Sequence, residues 1–510
     1  MPNLNYIFVK GDVSGIQGFI FNVKSEHAAK ELKGRSFFIK MLVEVAIQYL
    51  LDQFGLVDPD EIQNSKISTS GGNFILKLPA LDGFANKVLQ AQKDFTKALE
   101  FTGLNMCIAY VAKSETYAND IMKLDAGCRT LKYKFYHEGN DYFDAFEKKE
   151  ISKLSTKWES FTTQIKSNQF FTIQQNSNTN KHLIINNNTI ELAGYKIILN
   201  NNVNGFPLSA HLESLFPENA SHGIKDFSDL SKSDYFNYSR CEIGSIYGGQ
   251  EGLDKLGILA MDVDGLGHHM AEVDSEEQHA DLDKKLRLFF NDKIREVINN
   301  TDYSYQYNCR NNARLSVPKF KNKIYSVTAG GDDCFFVGKW NTILDFAIEI
   351  NKAFTTEFHG LTISAGLIIV DPKFPVVRFA DLVESSLKKA KYDYDTKGNI
   401  CLFGEVLSWD MLEKVYVMRQ HLNNKDITGG MLAKARLAAN NLKDAHVFRL
   451  EDFWKMGYYL RDLDSNKKRL VMGKIDDYMT KSILEINKLR KRNYRSILPV
   501  AARLAELDKR

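Results

Sequence analysis

Apolar residues run through the chain in two alternating regimes, short unbroken runs and longer stretches at helical spacing. In the second half, Leu256 to Met261 is an apolar run that ends in acids, which predicts a buried strand. Apolar positions at helical spacing follow from about Asp281 to Val297. Two β-rich runs in KIYSVTAGGDDCFFVGKW flank Gly330-Gly331-Asp332-Asp333 and read as a hairpin with acids at its turn. Then come a helix over roughly Thr342–Phe358, a strand in LTISAGLIIV, a helix in RFADLVESSLKKAKYD and a short strand in NICLFG.

The first half repeats this order. NYIFVKGDVSG is a strand ending in an acid, and a helix covers roughly His27–Gln53. SKISTSGGNFILKLP reads as a hairpin with two glycines at its turn. A helix over Asp82–Phe101, the strand NMCIAYVAKS and a helix containing LKYKF complete the set. Leu131-Lys132-Tyr133 echoes Ala390-Lys391-Tyr392. A β-α-β-β-α-β order thus occurs twice, about 260 residues apart. The predicted class is α+β: two ferredoxin-like palm domains at 1–145 and 251–408, a connector at 146–250, and a C-terminal helical bundle at 409–510.

Composition narrows the function classes. With 67 Lys+Arg against 64 Asp+Glu, the net charge of +3 does not mark the whole chain as a nucleic-acid binder. Six scattered cysteines form no C-x-x-C pair, so neither zinc nor a disulfide framework is expected. The N-terminus lacks a signal-peptide pattern and no apolar run is long enough to span a bilayer. A cytoplasmic protein with no membrane partner is expected.

The chemistry concentrates in the second repeat. In a palm sheet the first strand lies beside the hairpin, so Asp262 would converge with Asp332 and Asp333. Clustered carboxylates repel unless a hard cation joins them, and Mg²⁺ (or Mn²⁺) prefers few carboxylates plus substrate phosphates. Asp262, Asp332 and Asp333 are therefore the candidate catalytic residues, and with Val263 the candidate metal ligands. Gly330 and Gly331 leave room and backbone freedom for a triphosphate. Lys391 and Ser364 are candidate phosphate contacts, read equally well as a solvated helix lysine and a strand filler. In the first repeat the turn is Gly71-Gly72-Asn73, which lacks an acid, so no metal pair is expected there. Its polar set of Asp12, Ser14, Gly15, Gln17, Arg35 and Ser36 suits nucleotide recognition, with helix capping as the competing reading for Ser14 and Arg35.

At these residues the sequence resembles the large cyclase subunit of type III CRISPR effector complexes. DVSGIQGFIF, LKGRSFF, LAMDVDGLG, AGGDDCFFVG and ISAGLIIVDPKFPVVRFADLVESSLKKAK carry the resemblance. It implies a palm–connector–palm–bundle arrangement in which one nucleotide sits on the GGDD palm and another on the degenerate palm. ATP would become a cyclic oligoadenylate when target RNA pairs with guide RNA in a complex with other protein subunits. In some branches the acceptor is S-adenosylmethionine, and the resemblance leaves both acceptors open. Members often carry an HD nuclease domain. Here the first palm begins near residue 5 and no His-Asp dipeptide occurs, so a compact form without DNase activity is expected. Members often carry a cysteine-rich zinc element too, whereas residues 145–250 hold only Cys241. The basic KLRKRNYRS reads equally as a solvated helix face or as a contact with RNA or a helical subunit. A diguanylate cyclase fits less well, because two unequal palms are present and Cys334-Phe335 follows GGDD. A non-catalytic RNA-binding scaffold is opposed by the intact acids.

Overall fold

The computed structural model describes residues 6–23, 28–69, 71–100, 102–114, 116–137, 155–176, 182–214, 241–242, 253–309, 314–393, 396–423, 427–433 and 496–509, with isolated positions between 230 and 465. The first unit runs β1 (Tyr6–Ser14), α1 (Ile16–Phe21), α2 (Ala28–Phe54), α3 (Pro59–Ser65), β2 (Lys66–Ser68), β3 (Asn73–Pro79), α4 (Phe84–Leu99), β4 (Asn105–Ala112) and α5 (Tyr117–His137). Its sheet has the order β2-β3-β1-β4, with β1 antiparallel to both β3 and β4. The connector is α6 (Ser155–Ser167) and a five-stranded sheet of β5 (Phe170–Gln175), β6 (Ile184–Ile185), β7 (Thr189–Leu192), β8 (Tyr195–Asn200) and β9 (Phe206–Pro207).

After β10 (Cys241–Glu242) the second unit opens with β11 (Leu256–Val263), α7 (Leu266–Ala271) and α8 (Glu276–Leu288). A widened turn at Phe289–Lys293 leads into α9 (Ile294–Asn299). The antiparallel pair β12 (Ser304–Cys309) and β13 (Arg314–Pro318) joins β10 in a small separate sheet that the apolar pattern did not predict. Then follow β14 (Ile324–Gly330), β15 (Asp333–Lys339), α10 (Trp340–Glu357), β16 (Ile363–Val370), α11 (Val376–Tyr392), β17 (Asn399–Leu402) and β18 (Glu405–Ser408). The main sheet has the order β14-β15-β11-β16-β17-β18. Its first four strands repeat the order of the first unit.

The repeat extends to an irregularity. The ladder shifts register between Lys66 and Ser68 opposite Leu76 and Ile75, and between Ser326 and Thr328 opposite Phe336 and Phe335. Each of these positions is displaced by 260 residues from its counterpart. A bulge inserts one residue and bends its strand, so both hairpins are aimed by the same device.

Strand β11 is apolar up to Asp262 because both its faces are buried. Leu256, Ile258 and Ala260 join a core shared with the first unit, while Leu259, Met261 and Val263 face a second core built with α10. Phe21 meets Phe335 across the shared core at 4.6 Å between ring centroids. The second core also takes in α12 (Trp409–Leu422) and α13 (Ile497–Asp508). Buried Arg419 ties these helices together, its Nε donating to Asp508 at 2.6 Å. Within the predicted helical bundle at 409–510, EDFWKMGYYLRDL apart from three isolated positions, all of VMGKIDDYMTKSILEINKL, and KLRKRNYRS apart from Ser496 lie outside the described residues. Cys107, Cys128, Cys334 and Cys401 are buried free thiols. Among the described residues no helix is long and apolar enough to cross a membrane.

Candidate functional site

Three strands assemble the acidic site. Near the end of β11, Asp262 is in register with Asp333 on one side and Ser364 on the other. The Val263 amide donates to the Asp332 carbonyl at 2.9 Å, which pins the hairpin turn to β11. Gly330 pairs with Asp333 and closes the turn, with Gly330 at φ 142° and Gly331 at φ 76°. Both angles strain any residue with a side chain. Asp333 is exposed and Asp332 half-buried.

Like charges directly opposite each other on a sheet are unfavourable. Burial, offset in part by Lys391 and reinforced by Asp332, pushes the Asp262 carboxyl up to about 6. Burial likewise raises Asp332, against its own backbone hydrogen bonds and Lys391. Lys391 Nζ donates to Asp262 and lies 3.4 Å from the Val263 carbonyl. One ammonium therefore does not fully offset the desolvated acids. Among the described residues no three Asp, Glu, His or Cys side chains close into a metal cage. The candidate donor set is instead a few carboxylates and the Val263 carbonyl, the kind of set that Mg²⁺ completes with water and substrate oxygens.

Asp264 has another role. Buried, it accepts from Thr362 Oγ1 at 2.8 Å, Ser364 Oγ at 2.9 Å and the Gly398 amide at 2.9 Å. Ser364 is fully buried and spends its hydroxyl on that carboxylate, so it does not face a ligand.

The first unit holds a neutralised copy of this arrangement. Asp12 is in register with Asn73 and Cys107, and the Val13 amide donates to the Gly72 carbonyl at 2.9 Å. Lys132 Nζ donates to Asp12 at 2.7 Å, as Lys391 does to Asp262. In register, Asn73 stands where the second unit has Asp333, and Gly72 where it has Asp332. Gly15 begins α1 at φ 82° as Gly265 begins α7 at φ 67°. The two turns touch: a Cβ on Gly71 would lie 3.2 Å from both the Gly330 carbonyl oxygen and Gly331 Cα.

Of the remaining polar set, Ser14 Oγ donates to the Asn105 carbonyl at 3.4 Å. Exposed Gln17 Nε2 donates to Glu384 of α11 at 3.2 Å. Arg35 and Ser36, expected as nucleotide contacts, are both buried. Arg35 donates to the carbonyls of Phe19 at 2.6 Å and Asn22 at 3.0 Å and to Glu31, so it fastens α1 to α2. Sequence reasoning did not single out Lys132 beyond its echo of Lys391, nor Lys40, whose Nζ donates to the Ala329 carbonyl at 3.0 Å.

Sheet order, paired hairpins and an acid-tipped turn define a palm-type α+β protein. In sequence and in fold the chain resembles the large palm-bearing subunit of type III CRISPR effector complexes, the Cas10/Csm1 proteins. Residues 255–401 match the model "Cas10/Cmr2, second palm domain", and residues 5–177 match "Csm1 subunit domain B". Over 80% of its length the chain is 24% identical to a protein of Methanocaldococcus jannaschii named CRISPR system single-strand-specific deoxyribonuclease Cas10/Csm1 (subtype III-A). Over 83% it is 25% identical to the protein of that name from Mycobacterium tuberculosis. The chain spans 60% and 58% of those two relatives. The fold is similar to that in a crystal structure of the Csm1-Csm4 subcomplex in the type III-A CRISPR-Csm interference complex, with TM-score 0.72 and 18% identity over 99% of this chain and 70% of that one. A Csm1-Csm4 cassette in complex with cA4 matches at TM-score 0.70, with 19% identity over 99% of this chain and 70% of that one.

Proposed function

We propose that this chain is the nucleotidyltransferase subunit of a type III CRISPR RNA-guided complex, converting ATP into a cyclic oligoadenylate when target RNA is recognised. The observation that carries this reading is the register of Asp262 with Asp333 beside a two-glycine turn, on a sheet whose neighbour presents a second two-glycine turn in contact with it. The two units act as unequal palms, 1–145 and 251–408, separated by a connector and followed by a helical domain. Matching Csm1-Csm4 structures were determined with one ATP and with cA4, which supports nucleotide chemistry at such a palm pair.

Asp262, Asp332, Asp333 and the Val263 carbonyl would hold Mg²⁺ (or Mn²⁺), which when bound would neutralise phosphate charge and favour loss of the attacking hydroxyl's proton to give the alkoxide. The chain itself supplies the rest. Gly330 and Gly331 let the backbone turn tightly beside the acids, where a triphosphate would lie. Asp12, Gln17 and Asn73 in the first unit orient the acceptor so that its 3′-hydroxyl faces the donor's α-phosphate, which is catalysis by position. The new bond joins the 3′-oxygen to Pα, the Pα–O–Pβ bond breaks, and pyrophosphate leaves. Guide RNA, target RNA and other subunits are the partners this reading requires.

The test is to incubate the assembled complex with each labelled nucleotide, divalent metal and target RNA. ATP alone should be consumed, with pyrophosphate and an adenylate-linked product. Consumption of no nucleotide, or of GTP in preference, would overturn the reading.

A further inference from the structure

Helix α2 belongs to the first unit, yet one of its faces lies along β14, the strand that leads into the acidic turn of the second. Three contacts fix it there. The Tyr325 hydroxyl donates to the Ala29 carbonyl, Lys33 Nζ donates to the Ser326 carbonyl at 2.6 Å, and Lys40 Nζ donates to the Ala329 carbonyl at 3.0 Å. Lys33 and Lys40 are seven residues apart, two turns along one helix face. They differ in setting. Lys33 is fully buried and grips the strand at its bulge, 4.6 Å from the Tyr325 ring centroid. Lys40 is half-buried at the end of the strand, where a Cβ added to Gly330 would lie 2.4 Å from its Nζ. The absent side chain of the first turn glycine thus leaves the space that Lys40's ammonium fills.

We propose that Lys40 is a phosphate-binding cation of the nucleotide site on the second unit, delivered to it by the first. This rests on the reading of that turn as a triphosphate site. A triphosphate brought beside Asp262, Asp332 and Asp333 adds negative charge to an already acidic place. Lys391 sits on Asp262, on one side of the acids, and Lys40 stands over Gly330 on the other. A phosphate oxygen that replaces the Ala329 carbonyl gives the Lys40 ammonium an anionic acceptor for a neutral one, an ion pair in place of an ion–dipole contact. The four-carbon stem of lysine allows that exchange without moving the helix. Because Lys33 and Tyr325 hold α2 against β14, the ammonium reaches the turn only when the two units are docked. The donor site is then incomplete in either unit alone.

The test measures affinity of the full chain for ATP, ADP and AMP with divalent metal, for wild type, Lys40→Gln and Lys40→Arg, with thermal stability recorded for each. Lys40→Gln should weaken ATP by about tenfold, the scale of one charge-assisted hydrogen bond, while AMP changes by less than about twofold. Lys40→Arg should recover most of the loss. Equal losses for ATP and AMP, or none, would overturn the proposal. Amine acylation of the wild-type protein reads the same contact without a variant: ATP should shield Lys40 and AMP should not, and unchanged labelling under saturating ATP would contradict it. Failure of the wild type to bind ATP at all would instead sink the underlying reading of the turn.

Discussion

At the scale of residues, four acids close together in the fold do two different jobs. Asp333 is exposed, and Asp262 and Asp332 are half-buried beside it, while Asp264 satisfies two hydroxyls and an amide inside the protein. Asp264→Ala strands those three donors, and the protein should lose about 2–4 kcal/mol of stability, read by denaturant unfolding. Asp333→Asn, at an exposed turn, should change stability by less than about 0.5 kcal/mol. Equal effects would contradict this division. The neighbourhood of Asp262 and the hairpin acids was legible in the sequence, because an apolar run that stops at an acid marks a strand end. The separate role of Asp264 was not, since D-x-D spacing does not say which carboxylate a loop such as Gly398's will cap. The burial of Arg35 and Ser36 was not legible for a related reason. Helix α2 is buried on nearly all sides, so periodicity marks no outward face for a polar residue to occupy.

At the scale of elements, the two units hold each other through equivalent helices. While α2 lies on β14, helix α8 of the second unit lies on the first. Glu276 takes Lys77 at 2.6 Å and Lys113 at 2.7 Å, Asp283 accepts from Ser68 Oγ at 2.8 Å, and His279 Nδ1 lies 3.1 Å from the Tyr117 hydroxyl. His279 is buried, and burial lowers its proton affinity below the ordinary 6.5, with Asp283 and Asp125 opposing and Lys10 adding to the shift. A lowered imidazole stabilises the fold above the unfolded value and loses that contribution as pH falls from about 6.5 through the folded one. Wild-type melting temperature should therefore fall on acidification below about 6.5, and His279→Gln should flatten that limb. An identical pH profile for the variant would remove His279 as its source. The repeat order was readable from apolar spacing alone, and so was α2 to within a residue at each end. Helix α8 begins five residues before its predicted start, because its first turn is polar and Ser275 caps it by accepting from the Gln278 amide. The pair β12–β13 was not read from the chain although SYQYNC and RLSVP each alternate polar with apolar residues, because both runs are short and fall outside the repeated order.

At the scale of the molecule, the shared bulge, the two strand-end Asp–Lys pairs and the touching glycine turns describe one unit used twice, with acids at the hairpin turn kept on one copy only. The predicted order of two sheets around a connector could be read along the chain. That α2 and α8 cross between the units could not, since each helix looks like an internal element of its own repeat. The account stands on the acids of the second copy, and the double variant Asp332→Ala, Asp333→Ala tests them most directly. In the assembled complex with target RNA, ATP and Mg²⁺, pyrophosphate release and the mass spectrum of the products should be measured beside wild type. The account predicts an adenylate product from wild type and none from the variant, with melting temperature and assembly unchanged. Product of the same mass, formed by the double variant at a comparable rate, would contradict it.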